Sequence, residues 1–246
     1  MPAEPHSLSI SGWLRWNAVS RRLPADHTAR VLEIGPGLGG LSQLLAERYP
    51  YIAVEMDETA ARTASSRVNP FGGQVLHGDL GALDASLRAD VVCAFEVIEH
   101  IEDDRAALTE WASKLTPGGM LILTTPAFPD RYGAWDVRVG HWRRYEAAGL
   151  GNLLREIGLT DILVQHYGGP MSFVLDSGRQ HVARLYGKRN RASQQHATLK
   201  SGQHLQPRGA LASRATRLAA SPAALLERAF PNRGTALVAV GRRHTA

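Results

Sequence analysis

The segment Glu96-Val97-Ile98-Glu99-His100 holds three ligand-type side chains within five residues. If a helical turn begins at Glu96, positions i, i+3 and i+4 bring two carboxylates and an imidazole to one face. That donor set can take Mg²⁺, Mn²⁺ or a similar ion, and the imidazole widens the choice of metal. A second imidazole, His141, follows in the stretch Gly140-His141-Trp142-Arg143-Arg144. It is a candidate fourth ligand or a base, with a loop hydrogen bond as the plain alternative. His100 and His141 are the candidate catalytic groups, because an imidazole or a bound cation favours the deprotonated form of a neighbouring hydroxyl.

A different chemistry is written into Val31-Leu32-Glu33-Ile34-Gly35-Pro36-Gly37-Leu38-Gly39-Gly40, an apolar strand running into a glycine loop that opens a helix. Gly35 and Gly37 let the backbone turn sharply and approach a ligand where a Cβ would collide. The spacing reaches G-x-G-x-x-G only if Gly40 counts as the third glycine, so the loop points to a nucleotide-like ligand without specifying a dinucleotide. About 20 residues on, Glu55, with Met56 beside it, ends the next apolar run, where an acid can accept from both ribose hydroxyls. Asp79 and Leu80 end the third, placed to accept from an adenine amine and to pack on the ring. The three strand ends are expected to face one crevice.

Elements that could hold such residues alternate from Arg30 to Thr125: VLEI, LSQLLAERY, IAVE, QVLHGD, DVVCAF, RAALTEWASKL and GGMLILTT. That rhythm predicts βαβα units and a doubly wound α/β sheet, mostly parallel. Runs such as Val91–Phe95 are continuously apolar, as strands buried on both faces should be. Asp103 and Asp104 start a helix that Thr116-Pro117-Gly118-Gly119 stops. A loop is expected from Pro126 to Arg144, then a helix over Ala147–Ile157, a strand over Asp161–Tyr167 and a final strand over Ala236–Val240. Residues 8–23 read as a lid helix or as packing.

Together these segments resemble the class I S-adenosylmethionine-dependent methyltransferases over about residues 30–168 plus the final strand. VLEIGPGLGGLS is similar to their first motif, AVEMD to their second-strand acid, HGDL to their adenine-contacting segment, and LTPGGMLILTTP to their turn into the fifth strand. The resemblance implies a Rossmann-like methyltransferase sheet with an antiparallel final strand and a helical insertion before it. It also implies S-adenosyl-L-methionine as cofactor and Glu33 as the acid supporting its methionine end. The cofactor-binding candidates are then Glu33, Gly35, Gly37, Glu55, Met56, Asp79, Leu80 and Glu96. The E-x-x-E-H segment with a later histidine further resembles the quinone-pathway O-methyltransferases and the small-RNA 2′-O-methyltransferases, and implies Glu96, Glu99, His100 and His141 as ligands of Mg²⁺ or Mn²⁺.

The expected activity is O-methylation of a phenolic, quinone-related, glycosidic or lipid-linked hydroxyl. Methylation of an RNA end and a non-catalytic cofactor-binding subunit are the alternatives. The 246-residue chain carries +5 formally, but residues 1–178 hold 15 Lys/Arg against 22 Asp/Glu, net −7, and residues 179–246 hold 13 against one, net +12. Besides a small-molecule acceptor, the basic 179–246 region suits RNA, a peripheral membrane surface or another anionic ligand, or is a solvated face. Four segments are expected: 1–29 as a lid or substrate segment, 30–169 as the cofactor-binding core, 170–234 as a basic helical insertion, mobile over 187–209, and 235–246 as the last strand. One cysteine, Cys93, excludes an intrachain disulfide, and a cytoplasmic location is the expectation. Cys93 itself, inside VVCAF, reads as packing. Trp135, Trp142 and Tyr145 are candidates for a substrate wall.

Overall fold

A computed structural model of the protein describes residues 8–185, Thr216, Leu218 and 232–245. Of the expected basic insertion, the stretch 187–209 lies outside the described residues, as does the rest of 186–231 apart from Thr216 and Leu218. Seven strands, β1 (Val31–Ile34), β2 (Tyr51–Glu55), β3 (Gln74–His77), β4 (Ala89–Phe95), β5 (Leu115–Pro126), β6 (Leu159–Tyr167) and β7 (Ala236–Arg243), form one sheet in the order β3-β2-β1-β4-β5-β7-β6. The first five are parallel, and β7 runs antiparallel between β5 and β6. The chain winds outward from β1 to β3, then returns to place β4 beside β1. Loops leaving β1 and β4 therefore diverge and open a crevice at their carboxyl ends, the usual place for a ligand in such a sheet.

Alternation along each strand supplies two cores at once. Val31, Val91, Cys93 and Ile122 point to one face with Val19 and Leu45. Leu32, Val92, Leu121 and Leu123 point to the other with Leu108, Trp111, Leu150 and Leu154. This two-sided burial is why the strand sequences are unbroken apolar runs. Cys93 is fully buried and burial pushes its thiol well above the usual range, in keeping with its reading as packing.

The helices α1 (Ile10–Ser20), α2 (Gly40–Ala46), α3 (Glu58–Val68), α4 (Asp104–Ser113), α5 (Ala134–Val139), α6 (Ala147–Glu156) and α7 (Gly169–Leu185) cover the sheet. Side chains cap three of them: Ser9, Asp57 and Asp103 accept from the amides of Gly12, Ala60 and Ala106 at 3.1, 2.7 and 3.0 Å. Such caps satisfy amides that the helix leaves open at its first turn. Helix α1 packs on the sheet through Trp16 and Val19, which join the core, while Ser11 and Arg15 face a cavity. No helix among the described residues is long and apolar enough to cross a membrane.

Three local expectations are corrected. No helical turn starts at Glu96, which takes φ +58°, and a 3₁₀ turn spans Ile98–His100 instead. Thr116-Pro117-Gly118-Gly119 does not precede β5 but lies within it, with a register shift against β4 between Ala89 and Val91. The 126–144 segment is not all loop, because α5 forms within it, started by Gly133, whose amide donates to Asp136 Oδ2, and stopped by Gly140 at φ +84°.

Candidate active site

A cavity of about 770 Å³ opens over the carboxyl ends of β1 to β5, walled by α1 and α7. Its size sits toward the upper end of the roughly 300–1,000 Å³ of small-molecule clefts, room for a nucleoside-bearing ligand and a second molecule. Gly35, Gly37, Glu55, Met56, Asp79 and Leu80 all line it, so the three strand ends do face one crevice.

Gly37 adopts φ +55° and a Cβ built there meets nothing within 4 Å, so its bare Cα borders open cavity. Gly39, at φ +74°, is packed instead: a Cβ would come 2.7 Å from the Cα of Ala64 on α3. Close packing of loop against helix is thus the task of Gly39, whereas Gly40 is the buried first residue of α2, and the spacing that needed Gly40 as third glycine is not the operative one.

Glu55 is buried, and its carboxylate ties two loops together: Oε2 accepts from the Gly37 amide at 2.8 Å and Oε1 from the Asp57 amide at 3.0 Å. A solvated strand-end carboxylate is excluded by that geometry. Each oxygen keeps a lone pair, the acceptors that paired sugar hydroxyls require. Replacing Glu55 with alanine should weaken S-adenosylhomocysteine binding at least about tenfold by calorimetry, since a hydrogen bond to a charged group contributes about 1.5–3 kcal/mol; equal affinity in both proteins would place the sugar elsewhere. Asp79 is exposed, with Oδ1 accepting from the Gly81 amide at 2.8 Å, while Leu80 is buried. Exposed Met56 lines the same end of the cavity.

Glu33 lines the cavity too, and its Oε2 accepts from Ser42 Oγ at 2.7 Å and Tyr51 Oη at 2.5 Å. Burial pushes its pKa up to about 7, against the opposing effect of those hydroxyls.

The second constellation assembles in part. Ligand atoms of Glu99, His100 and His141 lie within 4.8 Å of one another. Glu99 is fully buried, with Oε2 accepting from Thr125 Oγ1 at 3.1 Å and its main-chain oxygen from the Trp142 amide at 2.7 Å. Its Oε1 and the Nδ1 of His100 are buried with no hydrogen-bond partner among the described residues. The His100 and His141 rings meet edge to face at 4.7 Å. Burial, aided by His141, pushes His100 down to about 3, and burial, aided by Glu96, pushes Glu99 well above the carboxylate range.

Glu96 is not in this group. Its left-handed backbone turns the carboxylate toward α1, where Oε2 pairs with Arg15 Nη2 at 3.1 Å. It lines the cavity, but among the described residues the four-ligand set reduces to three.

What orients His141 is Asp136, which sequence reasoning missed. Asp136 Oδ1 lies 2.9 Å from His141 Nδ1, and its carboxylate also accepts from Arg144 Nε and Nη2 at 2.8 and 2.9 Å and from Gln180 Nε2 at 2.8 Å. Burial alone would raise the Asp136 pKa; the donors, His141 and Arg144 first, outweigh it and hold the acid well below its usual range. The anion then assigns the imidazole proton to Nδ1 and leaves Nε2, 3.9 Å from Glu99 Oε1, as the acceptor. Asp136 lies five residues before His141, but only the helix end and reversal at Gly140 bring the two together. Of the expected aromatic wall, Trp135 lines the cavity; Trp142 is half exposed, and Tyr145 is buried with its hydroxyl on Asp104 Oδ2 at 2.8 Å. Arg15 and Arg179, also missed, face the same space from α1 and α7.

Residues 15–164 match the family described as a methyltransferase domain. An uncharacterized methyltransferase of Mycobacterium tuberculosis is 34% identical over 131 residues, covering 52% of this chain and 64% of its own. A protein of the same species named "Probable S-adenosylmethionine-dependent methyltransferase" is 36% identical over 155 residues, covering 60% and 55%. The chain thus spans under two thirds of the length of these relatives. The fold is shared with phosphoethanolamine N-methyltransferase 2 of Haemonchus contortus, solved with S-adenosyl-L-methionine, at TM-score 0.61 and 17% identity, over 97% of this chain and 54% of that one. With the matched residues spanning more than half the chain, and the glycine loop, the strand-end acids and the sheet order all inside or beside that match, this protein belongs to the methyltransferase-domain family.

Proposed function

We propose that this protein transfers the methyl group of S-adenosyl-L-methionine to a hydroxyl oxygen of a small molecule, with a divalent cation held by Glu99, His100 and His141. The observation that carries the reading is that one ligand atom each of Glu99, His100 and His141 lie within 4.8 Å of one another beside the cavity, while Glu99 Oε1 and His100 Nδ1 are buried without a hydrogen-bond partner among the described residues. Buried polar atoms without partners are rare in native folds and call for an explanation such as an absent ion.

When bound, the cofactor would supply an electrophilic methyl on a sulfonium and leave as S-adenosylhomocysteine once that methyl passes to the acceptor oxygen, the hydroxyl proton passing to a base or to solvent. The chain's residues fit that ligand: Gly37 offers bare backbone to the cavity, Glu55 free lone pairs, and Leu80 an apolar contact beside Asp79. Positioning then supplies much of the rate, because the acceptor must lie on the axis of the departing sulfur. Asp136 fixes the His141 ring so that its Nε2 faces Glu99 and His100. A cation bound there supplies positive charge that favours the ionised acceptor oxygen. Two imidazoles with one carboxylate suit Mn²⁺ or Zn²⁺ better than Mg²⁺, which prefers oxygen ligands.

The Asp136–His141 hydrogen bond supports a second reading, in which no metal binds and His141 Nε2 takes the acceptor proton itself. Titration of Mn²⁺ into the full chain, followed by loss of the free-ion resonance signal, separates the two. One bound Mn²⁺ per chain, weakened at least about tenfold in Glu99→Gln, supports the first, because loss of one ligand or its orienting partner typically costs about 10–100-fold in affinity. No saturable binding, or binding unchanged in the variant, leaves the second.

A further inference from the structure

The cavity wall formed by α1 and α7 carries an arginine that the rest of the site does not explain. Four guanidiniums stand in this neighbourhood, on Arg15, Arg131, Arg144 and Arg179, and the carboxylates that form ion pairs with them are Glu96, Asp136 and Asp176. The carboxylates are committed. Glu96 pairs with Arg15 at 3.1 Å, Asp136 with Arg144 at 2.8 Å, and the two oxygens of Asp176 with Arg131 and Arg144 at 2.9 and 2.8 Å.

Arg179 is left with neutral company. Its Nη2 donates to Ser11 Oγ at 2.6 Å and its guanidinium carbon lies 5.9 Å from the centre of the Trp135 ring. Among the described residues no carboxylate lies within 4.0 Å of it. Asp176 stands one turn earlier on the same helix, yet both its oxygens face away to other arginines.

A guanidinium drawn partly out of water costs free energy unless an anion meets it, and truncated or wrongly matched partners in such places leave the charge uncompensated. Burial accordingly lowers the pKa of Arg179, with Glu96 and Asp176 acting in the opposite sense from beyond ion-pair distance. Arg15, Arg131 and Arg144 have their anions; Arg179 has the cavity. The planar fork of arginine matches carboxylate and phosphate oxygens in pairs, and the aromatic face of Trp135 beside it offers a flat wall to whatever carries them.

We propose that Arg179 binds an anionic group, a carboxylate or a phosphate, borne by the methyl acceptor, making the substrate a hydroxy acid or a phosphorylated alcohol. This assignment rests on the reading of the cavity as the acceptor site of a hydroxyl-directed methyltransferase.

The test uses the full chain saturated with S-adenosylhomocysteine, at constant ionic strength, and reads thermal stability. Acetate and benzoate probe for a carboxylate, inorganic phosphate and phenyl phosphate for a phosphate, and benzamide serves as the neutral counterpart of benzoate. At saturation at least one anion should raise the midpoint of the parent by about 2–4 °C, and Arg179→Gln should lose that rise while responding to benzamide as the parent does. Arg179→Lys should keep part of it, and it carries the comparison if the glutamine variant no longer binds S-adenosylhomocysteine. Which pair of anions acts distinguishes carboxylate from phosphate. The proposal is overturned if no anion stabilises the parent more than the variants. Turnover does not enter the readout, so a failure of methyl transfer to hydroxyls would be seen separately, as absent S-adenosylhomocysteine formation in a protein whose anion response persists.

Discussion

Replacing Gly37 with valine should weaken S-adenosylhomocysteine binding at least about a hundredfold, or about 2.8 kcal/mol at 1.4 kcal/mol per decade. Two causes act together. At φ +55° a β-branched residue sits in the left-handed region that L side chains avoid, at about 1–2 kcal/mol. Its methyls would also occupy cavity that borders the Glu55 carboxylate, since the Gly37 amide donates to that group. A Cβ at this place meets no protein atom within 4 Å, so the fold has room for it and the ligand does not. Gly37→Ala, with one carbon in the same place, should show a smaller loss. Calorimetry on both variants, with thermal unfolding as the control for backbone strain, checks the claim. Valine binding within threefold of the parent would mean that the adenosyl group lies elsewhere.

The second large effect is expected at His141. Alanine there removes the Nε2 acceptor while leaving Gly37, Glu55 and Asp79 untouched, so turnover should fall about 10²–10⁴-fold, the usual contribution of a positioned acid–base group, with affinity for S-adenosylhomocysteine within about twofold. Asp136→Asn should fall between the parent and His141→Ala, because the imidazole remains but the anion that assigns its proton is gone. The rate is followed as S-adenosylhomocysteine formation with hydroxy acids and phenols as acceptors. An unchanged rate in His141→Ala would remove the imidazole from the chemistry under both readings of the cluster. Equal losses of rate and cofactor affinity would point to a folding defect.

The parts of this site that were legible in the sequence are those fixed by local backbone. A strand, a glycine loop and a helix are contiguous, so Gly37 could be placed from its neighbours, and strand ends at Glu55 and Asp79 fall on the same edge of any parallel sheet. Met56 and Leu80 followed from the same logic, whereas Glu33 came only from the resemblance of its motif. Glu96 misled because its periodicity with Glu99 and His100 presumes a helix, whereas the backbone turns left-handed at Glu96 and sends that carboxylate to Arg15. His141 was found by residue type; Asp136, its partner, was not, since nothing in the chain between them announces the reversal at Gly140. Arg15 and Arg179 belong to helices outside the βαβ core, and their meeting over one cavity depends on how α1 and α7 lie on the sheet. No local pattern encodes that.

Asp136 joins elements far apart in the chain: the His141 loop, Arg144, and, through Gln180 and the Arg144–Asp176 pair, the helix α7. Gln180 is the immediate neighbour of Arg179 on that helix. The helix that furnishes an acceptor wall is therefore also a strut for the imidazole's setting. A change in how this helix lies on the sheet would also change the setting of His141.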